Sequence, residues 1–127
     1  LKNYRVMLVK IDTLNLEAVK GCNLTPREQD RCKNFFALGL VYWMYERPME
    51  ATLKYLQKTF GTRKPDVYNA NVASLKAGYN YGETVEAMPV QYKVPKAKIK
   101  PGTYRKLTGN EAISMGLIAA TNLAKKD

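Results

Sequence analysis

The sequence predicts a remnant of an α/β domain that is mostly helical in this piece, followed by a linker and one further helix. Three observations lead to this fold class. A β-forming run at residues 4–12 precedes a short helical pattern, which is the βα half of an α/β unit. Longer segments then repeat apolar residues with the helical period. A basic stretch that contains proline separates them from a last capped helix.

The first element is a predicted strand at residues 4–12, where Val6 and Leu8 belong to an apolar run typical of a buried parallel strand. A short helix follows at residues 14–20 and ends at Gly21. A buried strand needs hydrogen-bonded neighbours on both sides, and no further sheet is visible downstream. We therefore expect the chain to be a truncated part of a longer domain, as the absence of an initiator Met also indicates.

The next helix has a strong start signal. Thr25 is a capping residue, Pro26 suits the first helical position, and Glu28 completes a capping box. Residues 35–45 are apolar on all sides, which predicts a buried helix. Gly39 in its middle costs about 1 kcal/mol relative to alanine. We expect this glycine to allow another backbone to pack closely.

Two further helices are predicted from apolar stripes at helical spacing. Gly61 stands where the first should be capped at its C-terminus, and Pro65 begins the second. Gly78 and Gly82 weaken the second helix, so we expect it to close near them. The two stripes consist of Met49, Leu53, Leu56 and Phe60, and of Tyr68, Val72, Leu75 and Tyr79.

The last part of the chain combines a linker and a helix. Residues 90–94 alternate and predict a short edge strand, and Pro95 and Pro101 bracket a linker of extended character. Thr108 and Glu111 form a second capping box, which starts the last helix. That helix is rich in small residues and is therefore suited to approach another backbone closely.

Composition limits the classes of protein. The chain has 127 residues and a formal net charge of +10. Residues 89–106 hold six basic residues and no acidic one, which favours a solvated linker over a nucleic-acid surface. The two cysteines, Cys22 and Cys32, are expected to be reduced thiols in a cytoplasmic protein. No apolar run reaches the length of about 18 residues that a membrane helix needs.

No catalytic constellation stands out. The chain has no histidine, so the commonest general base and metal ligand is absent. Glu83 and Glu86 could share a helix face, but an exposed helix end is the favoured interpretation. The Gly109–Glu111 helix start could face an anion, although an ordinary capping box explains it. We predict no catalytic and no metal-binding residue, and cofactor-binding residues remain open.

Four motifs, in this order and at this spacing, resemble one enzyme family. The resemblance is to the large (alpha) subunit of 2-oxoacid:ferredoxin oxidoreductases of the 2-oxoglutarate-oxidising kind, and it covers essentially the whole chain. The motifs are residues 31–40 (RCKNFFALGL), 81–86 (YGETVE), 101–105 (PGTYR) and 108–112 (TGNEA).

The resemblance implies a domain organisation. Residues 1–88 would be the C-terminal part of a Rossmann-like γ domain, and residues 89–106 a basic linker. Residues 107–127 would be the first helix of a domain of the thiamine-enzyme pyrimidine-binding type. The glycine-rich turn that opens the family's γ domain is absent, as is the family's Tyr-Pro-Ile-Thr-Pro segment. No family catalytic residue can therefore be assigned to a position here.

The resemblance also implies an activity for the whole enzyme. Such an enzyme oxidatively decarboxylates 2-oxoglutarate to succinyl-CoA and reduces ferredoxin. It uses thiamine diphosphate, Mg²⁺, an iron–sulfur cluster and coenzyme A, and its partner is a thiamine-binding beta subunit. This piece is expected to bind none of these cofactors and to contribute structure and subunit contacts, and it could self-associate.

Two alternatives stay open at the level of sequence. One is a small basic module that binds nucleic acid through the lysine-rich linker. The other is a helical interaction domain, which nine tyrosines and a buried apolar helix would suit.

Overall fold

The structure, a computed structural model, describes residues 6–85 and 91–125. It divides into two units, Leu1–Pro95 and Lys96–Asp127, each described here by itself. Within the described residues the regular elements are all helical, so the mostly helical part of the fold prediction is confirmed, whereas the Rossmann-like part remains a prediction. The elements are α1 (Ile11–Val19), α2 (Pro26–Met44), α3 (Glu50–Leu56), a π-helix (Gln57–Gly61), α4 (Pro65–Val85) and α5 (Gly109–Ala124).

The predicted strand at residues 4–12 is not present as a strand. Its first two residues lie outside the described range, residues 6–10 have no regular structure, and α1 already begins at Ile11. Leu8 is 91% exposed. A β-forming run becomes a strand only when neighbouring strands supply hydrogen bonds, and the described residues supply none. The predicted short helix is confirmed, with its start three residues earlier than expected.

α2 begins as the sequence predicted. The Thr25 hydroxyl accepts a hydrogen bond from the Glu28 backbone N–H, and the Glu28 carboxylate accepts one from the Thr25 backbone N–H. The prediction of burial on all sides was wrong for one face. Phe36 and Trp43 are buried, but Val41 is 42% exposed. Within the described residues, α2 packs mainly on α1 and α4, which leaves its remaining face uncovered.

Glycines set the crossing of α2 and α4. A β-carbon added at Gly39 would overlap the Leu75 carbonyl oxygen, so the predicted close approach of another backbone is confirmed. In return, a β-carbon at Gly78 would overlap the Phe36 carbonyl oxygen, and one at Gly82 would lie 2.5 Å from the Trp43 ring. As predicted, α4 ends close to these glycines, at Val85, although both are contact points within the helix.

α3 is followed directly by a π-helix. The predicted apolar stripe buries Leu56, and Met49, Leu53 and Phe60 are half-buried. From Gln57 the α-helix gives way to the π-helix, which ends at Gly61. The glycine that was predicted to cap an α-helix is thus the last residue of a wider helical turn.

The segment that leads out of the first unit closes the C-terminal end of α2. The Tyr92 backbone N–H donates to the Met44 carbonyl at 2.8 Å, and the Gln91 amide donates to the Trp43 carbonyl at 3.1 Å. The Met44 carbonyl is one of the groups that a helix end leaves without a helical partner, whereas the Trp43 carbonyl also accepts from the Glu46 backbone N–H at 3.3 Å. The edge strand predicted at residues 90–94 is absent from its described part, residues 91–94, where the chain is irregular.

The second unit consists of an irregular stretch and α5. Thr108 and Glu111 form the predicted capping box at the start of α5. The large apolar side chains of this helix are exposed within the described structure: Ile113 64%, Leu117 65%, Ile118 62% and Leu123 68%. In the described part of the chain, no helix combines the length and apolarity that crossing a membrane requires.

Candidate functional site

A buried polar chain joins α1, α2 and α4. The Asn15 side chain is 1% exposed and donates from Nδ2 to the Gln29 carbonyl at 2.8 Å. The hydroxyl of Ser74, which is 0% exposed, donates to the Asn15 amide oxygen. A buried polar group is stable only when its hydrogen bonds are made, so these bonds fix how the three helices meet.

A pocket opens between α2, the π-helix and α4. Its volume is about 210 Å³. Aromatic and aliphatic side chains share its lining with charged and amide groups. The lining residues are Glu28, Arg31, Cys32, Phe35, Phe60, Lys64, Val67 and Asn71.

The charged groups of the pocket differ in whether they form hydrogen bonds within the protein. The Glu28 carboxylate accepts hydrogen bonds from the Thr25 hydroxyl at 2.7 Å and from the Thr25 backbone N–H at 3.0 Å. These bonds lower the pKa of Glu28, and the charges of Lys64 and Arg31 act in the same direction. Glu28 is therefore an ionised helix cap, while Arg31 and Lys64 are exposed cations beside it.

Cys32 lies in the wall of the pocket as an unreactive thiol. Its Sγ donates to the Glu28 carbonyl at 3.3 Å, and burial raises the pKa of the thiol to about 11. A thiol with a raised pKa is a poor nucleophile at neutral pH. Cys22 packs against a buried cluster of Val19, Cys32 and Ala70, and both cysteines are free, as the sequence predicted.

The other sequence candidates do not gather into a site. Glu83 is exposed on α4, and Glu86 lies outside the described residues. The Glu111 carboxylate is held by the Thr108 backbone N–H at 2.7 Å and by its hydroxyl at 2.9 Å, which is the ordinary capping box that was favoured. Across residues 6–85 and 91–125, no group of three or more His, Cys, Asp or Glu is placed to hold a metal ion.

Sequence reasoning missed two features. The buried Asn15 had a local signal, because it lies on the helical stripe that runs from Ile11 to Val19, where an amide needs a partner. The pocket had none, because its walls come from two separate segments, residues 28–35 and 60–71, that meet only through packing.

Comparison with known proteins finds a relative that matches almost the whole chain. It is similar to a segment of an oxidoreductase subunit, so the resemblance predicted from the four motifs is confirmed. The relative is the 2-oxoglutarate oxidoreductase subunit KorA of Mycobacterium tuberculosis (strain ATCC 25618 / H37Rv). The two are 44% identical over 124 residues, which is 98% of this chain and 19% of KorA. The chain fits a fragment of such a large subunit and spans about a fifth of its length.

No protein-family model matches the chain. No solved structure matches it either. The comparisons give no support to the alternative predictions of a small basic nucleic-acid-binding module or of a helical interaction domain.

Proposed function

We propose that the chain forms part of a 2-oxoglutarate oxidoreductase and contributes structure and subunit contacts to its large subunit. The single observation that carries this proposal is the identity of 44% to KorA across 98% of the chain. Identity spread over the whole chain, rather than confined to one motif, supports a shared fold and a shared setting within a larger protein.

The reaction proposed for the whole enzyme is oxidative decarboxylation of 2-oxoglutarate to succinyl-CoA, with ferredoxin as electron acceptor. A thiamine-binding beta subunit is the proposed partner, and thiamine diphosphate, Mg²⁺ and an iron–sulfur cluster are the proposed cofactors. A cluster usually takes four thiolate ligands, and Cys22 and Cys32 are too few to hold one. The thiamine cofactor would supply the carbanion chemistry, while this segment supports the fold around it.

The packing of the first unit supports a structural role. Gly39 and Gly78 hold α2 and α4 at backbone contact, and the Asn15–Ser74 chain ties α1 to them. Such a rigid helical block suits a subunit scaffold. The exposed apolar side chains of α5 are typical of a helix that belongs to a larger core, because a helix that is apolar all round is normally enclosed.

The test is an assay of the complete polypeptide that contains these residues, purified through a tag from its own cells. We expect a second subunit to co-purify and the pair to reduce ferredoxin when both 2-oxoglutarate and coenzyme A are supplied. Pyruvate in place of 2-oxoglutarate serves as the matched substrate control. The 127-residue chain alone is expected to show no turnover.

Two results would overturn the proposal. One is a tagged protein that runs near 14.4 kDa and carries no partner subunit. The other is a purified complex of larger mass that reduces ferredoxin with neither 2-oxoacid.

A further inference from the structure

The pocket between α2, the π-helix and α4 has the dimensions of a site for a small molecule. Pockets for drug-sized ligands hold about 300–1,000 Å³. At about 210 Å³, this pocket fits a smaller ligand, such as one ring with a short side arm. All its lining residues belong to the first unit of the structure.

The lining separates into an apolar part and a cationic part. Phe35, Phe60 and Val67 are half-buried and offer an apolar surface to a ring or a short chain. Arg31 and Lys64 are exposed, so their charges lie where the pocket meets solvent. This arrangement fits a ligand that is apolar at one end and negatively charged at the other.

Glu28 does not cancel the cationic part. Its carboxylate already accepts two hydrogen bonds from Thr25 at the start of α2, at 2.7 and 3.0 Å. Arg31 and Lys64 therefore outnumber it in charge, and neither forms an ion pair within 4.0 Å among the described residues. A guanidinium and an ammonium group at one rim are suited to a carboxylate or a phosphate.

Asn71 gives the pocket a buried polar group. The residue is only 5% exposed and lines the pocket. No hydrogen bond from its side chain to another described residue is found, and its amide atoms are not fully enclosed by protein. A buried amide of this kind is stabilised by a polar partner inside the pocket, and a ligand oxygen or a water is such a partner.

One wall of the pocket comes from the π-helix. Phe60 lies in this five-residue turn, and the Lys64 backbone N–H donates back to the Phe60 carbonyl at 2.8 Å. π-Helical turns are rare and are frequently found at functional sites. The unusual turn therefore joins the apolar wall of the pocket to one of its two cations.

From these observations we propose that the pocket binds a free small molecule that carries an anionic group on a single ring or short apolar chain. The anion lies between Arg31 and Lys64, and the apolar end lies against Phe35, Phe60 and Val67. Asn71 donates to, or accepts from, a polar atom of the ligand inside the pocket. The proposed site does not depend on the proposed oxidoreductase activity, so either proposal can be wrong while the other holds.

The test uses 3-phenylpropionate as the probe and the complete polypeptide, with any co-purifying subunit, as the protein. Saturation-transfer NMR and isothermal titration measure binding. We expect saturable binding at one site on this polypeptide. Two matched probes separate the contributions: 3-phenylpropionamide keeps the ring without the charge, and butyrate keeps the charge without the ring. Both are expected to bind at least about ten-fold more weakly.

Variants locate the site. Arg31→Gln with Lys64→Gln removes both cations from exposed positions, and we expect the Kd for 3-phenylpropionate to rise at least about ten-fold. The matched control is Lys58→Gln with Arg63→Gln, which removes an exposed lysine of the π-helix and an exposed arginine just after it, neither of which lines this pocket. The control is expected to leave the Kd unchanged. Val67→Phe fills the pocket and should weaken the binding of 3-phenylpropionate and of 3-phenylpropionamide to the same extent.

The proposal is overturned by absence of saturable binding of 3-phenylpropionate at millimolar concentration. It is equally overturned if the control pair weakens binding as much as Arg31→Gln with Lys64→Gln, since binding would then reflect net charge alone. Equal affinity for 3-phenylpropionate and 3-phenylpropionamide would contradict the proposal that the pocket recognises an anionic group. Circular dichroism of each variant verifies that the helices are retained.

Discussion

Gly39 and Leu75 meet backbone to backbone, because a β-carbon on Gly39 would overlap the Leu75 carbonyl oxygen and lie 3.0 Å from its carbonyl carbon. The contact is reciprocated by Gly78 on the other helix, which faces the Phe36 backbone. The crossing of α2 and α4 thus depends on missing side chains on both sides.

Replacing Gly39 by alanine is expected to destabilise the protein. Alanine gains about 0.8–1.0 kcal/mol of helix propensity. Overpacking costs about 1–3 kcal/mol, and here the cost lies at the upper end because the obstructing atoms are backbone. We expect the free energy of unfolding, measured by urea denaturation, to fall by at least about 1 kcal/mol.

Gly21→Ala is the matched control for that substitution. A β-carbon at Gly21 meets nothing within 4 Å, and its φ is not positive. Glycine-to-alanine changes at such positions stabilise by about 0.4–1 kcal/mol through the unfolded state. A Gly39→Ala protein as stable as the Gly21→Ala protein would contradict the close packing of α2 and α4.

The hydroxyl of Ser74 is predicted to be needed for the stability of the first unit. Ser74→Ala leaves the buried Asn15 amide oxygen without its donor, and an unsatisfied buried group costs about 1–3 kcal/mol. Urea denaturation should show a loss of this size. Ser114→Ala removes an exposed hydroxyl that bonds the Asn110 carbonyl and is expected to have no such effect on this unit.

The two thiols are predicted to differ in reactivity. With a pKa of about 11, Cys32 is ionised at pH 8 to only about one part in a thousand. Labelling of the native protein with a thiol-specific disulfide reagent should show a fast phase from the half-buried Cys22. Cys32 should react only on unfolding. In Cys22→Ser the fast phase should vanish, and its persistence would show that Cys32 is accessible.

The raised pKa of Cys32 also predicts a pH dependence of stability. The folded thiol keeps its proton above the ordinary value of 9.0, whereas the unfolded thiol loses it. The contribution of this thiol to the free energy of unfolding is therefore complete below pH 9 and is lost as the pH rises towards about 11. Urea denaturation from pH 8 to 11 should show a steeper loss for the natural protein than for Cys32→Ala.

Glu28 predicts the opposite dependence in acid. Its pKa is lowered from 4.5, chiefly by the Thr25 hydrogen bonds, so the folded state holds the carboxylate ionised. The stabilisation is present above pH 4.5 and is lost as the pH falls through the lower folded value. The difference in thermal midpoint between the natural protein and Glu28→Gln should therefore shrink on acidification. A difference that stays constant from pH 7 to pH 3 would argue against the capping box.

Local signals were enough to predict the starts of α2 and α5. The capping residues at Thr25 and Thr108 act within one helical turn, so they work whatever surrounds the helix. The apolar period likewise predicted that Leu56 and Leu75 would be buried. Gly39 was interpreted correctly because a glycine inside a strongly apolar helix needs a compensating contact.

The failures all concern partners distant in sequence. The run at residues 4–12 has the side chains of a strand, but the described residues supply no neighbouring strand to accept its hydrogen bonds. Helix propensity alone does not predict the packing role of Gly78 and Gly82, because they contact Phe36 and Trp43 on a helix that is distant in sequence. The pocket depends on α2, the π-helix and α4 meeting, which no local pattern encodes.

The spacing of Gly78 and Gly82 has a consequence for how this segment can evolve. The two glycines are about one helical turn apart, so both lie on the face of α4 that packs against α2. Inserting or deleting one residue between them would rotate one glycine by about 100° and bring a side chain against Phe36 or Trp43. Related chains should therefore exchange residues freely on the solvent side of this turn while keeping its length constant.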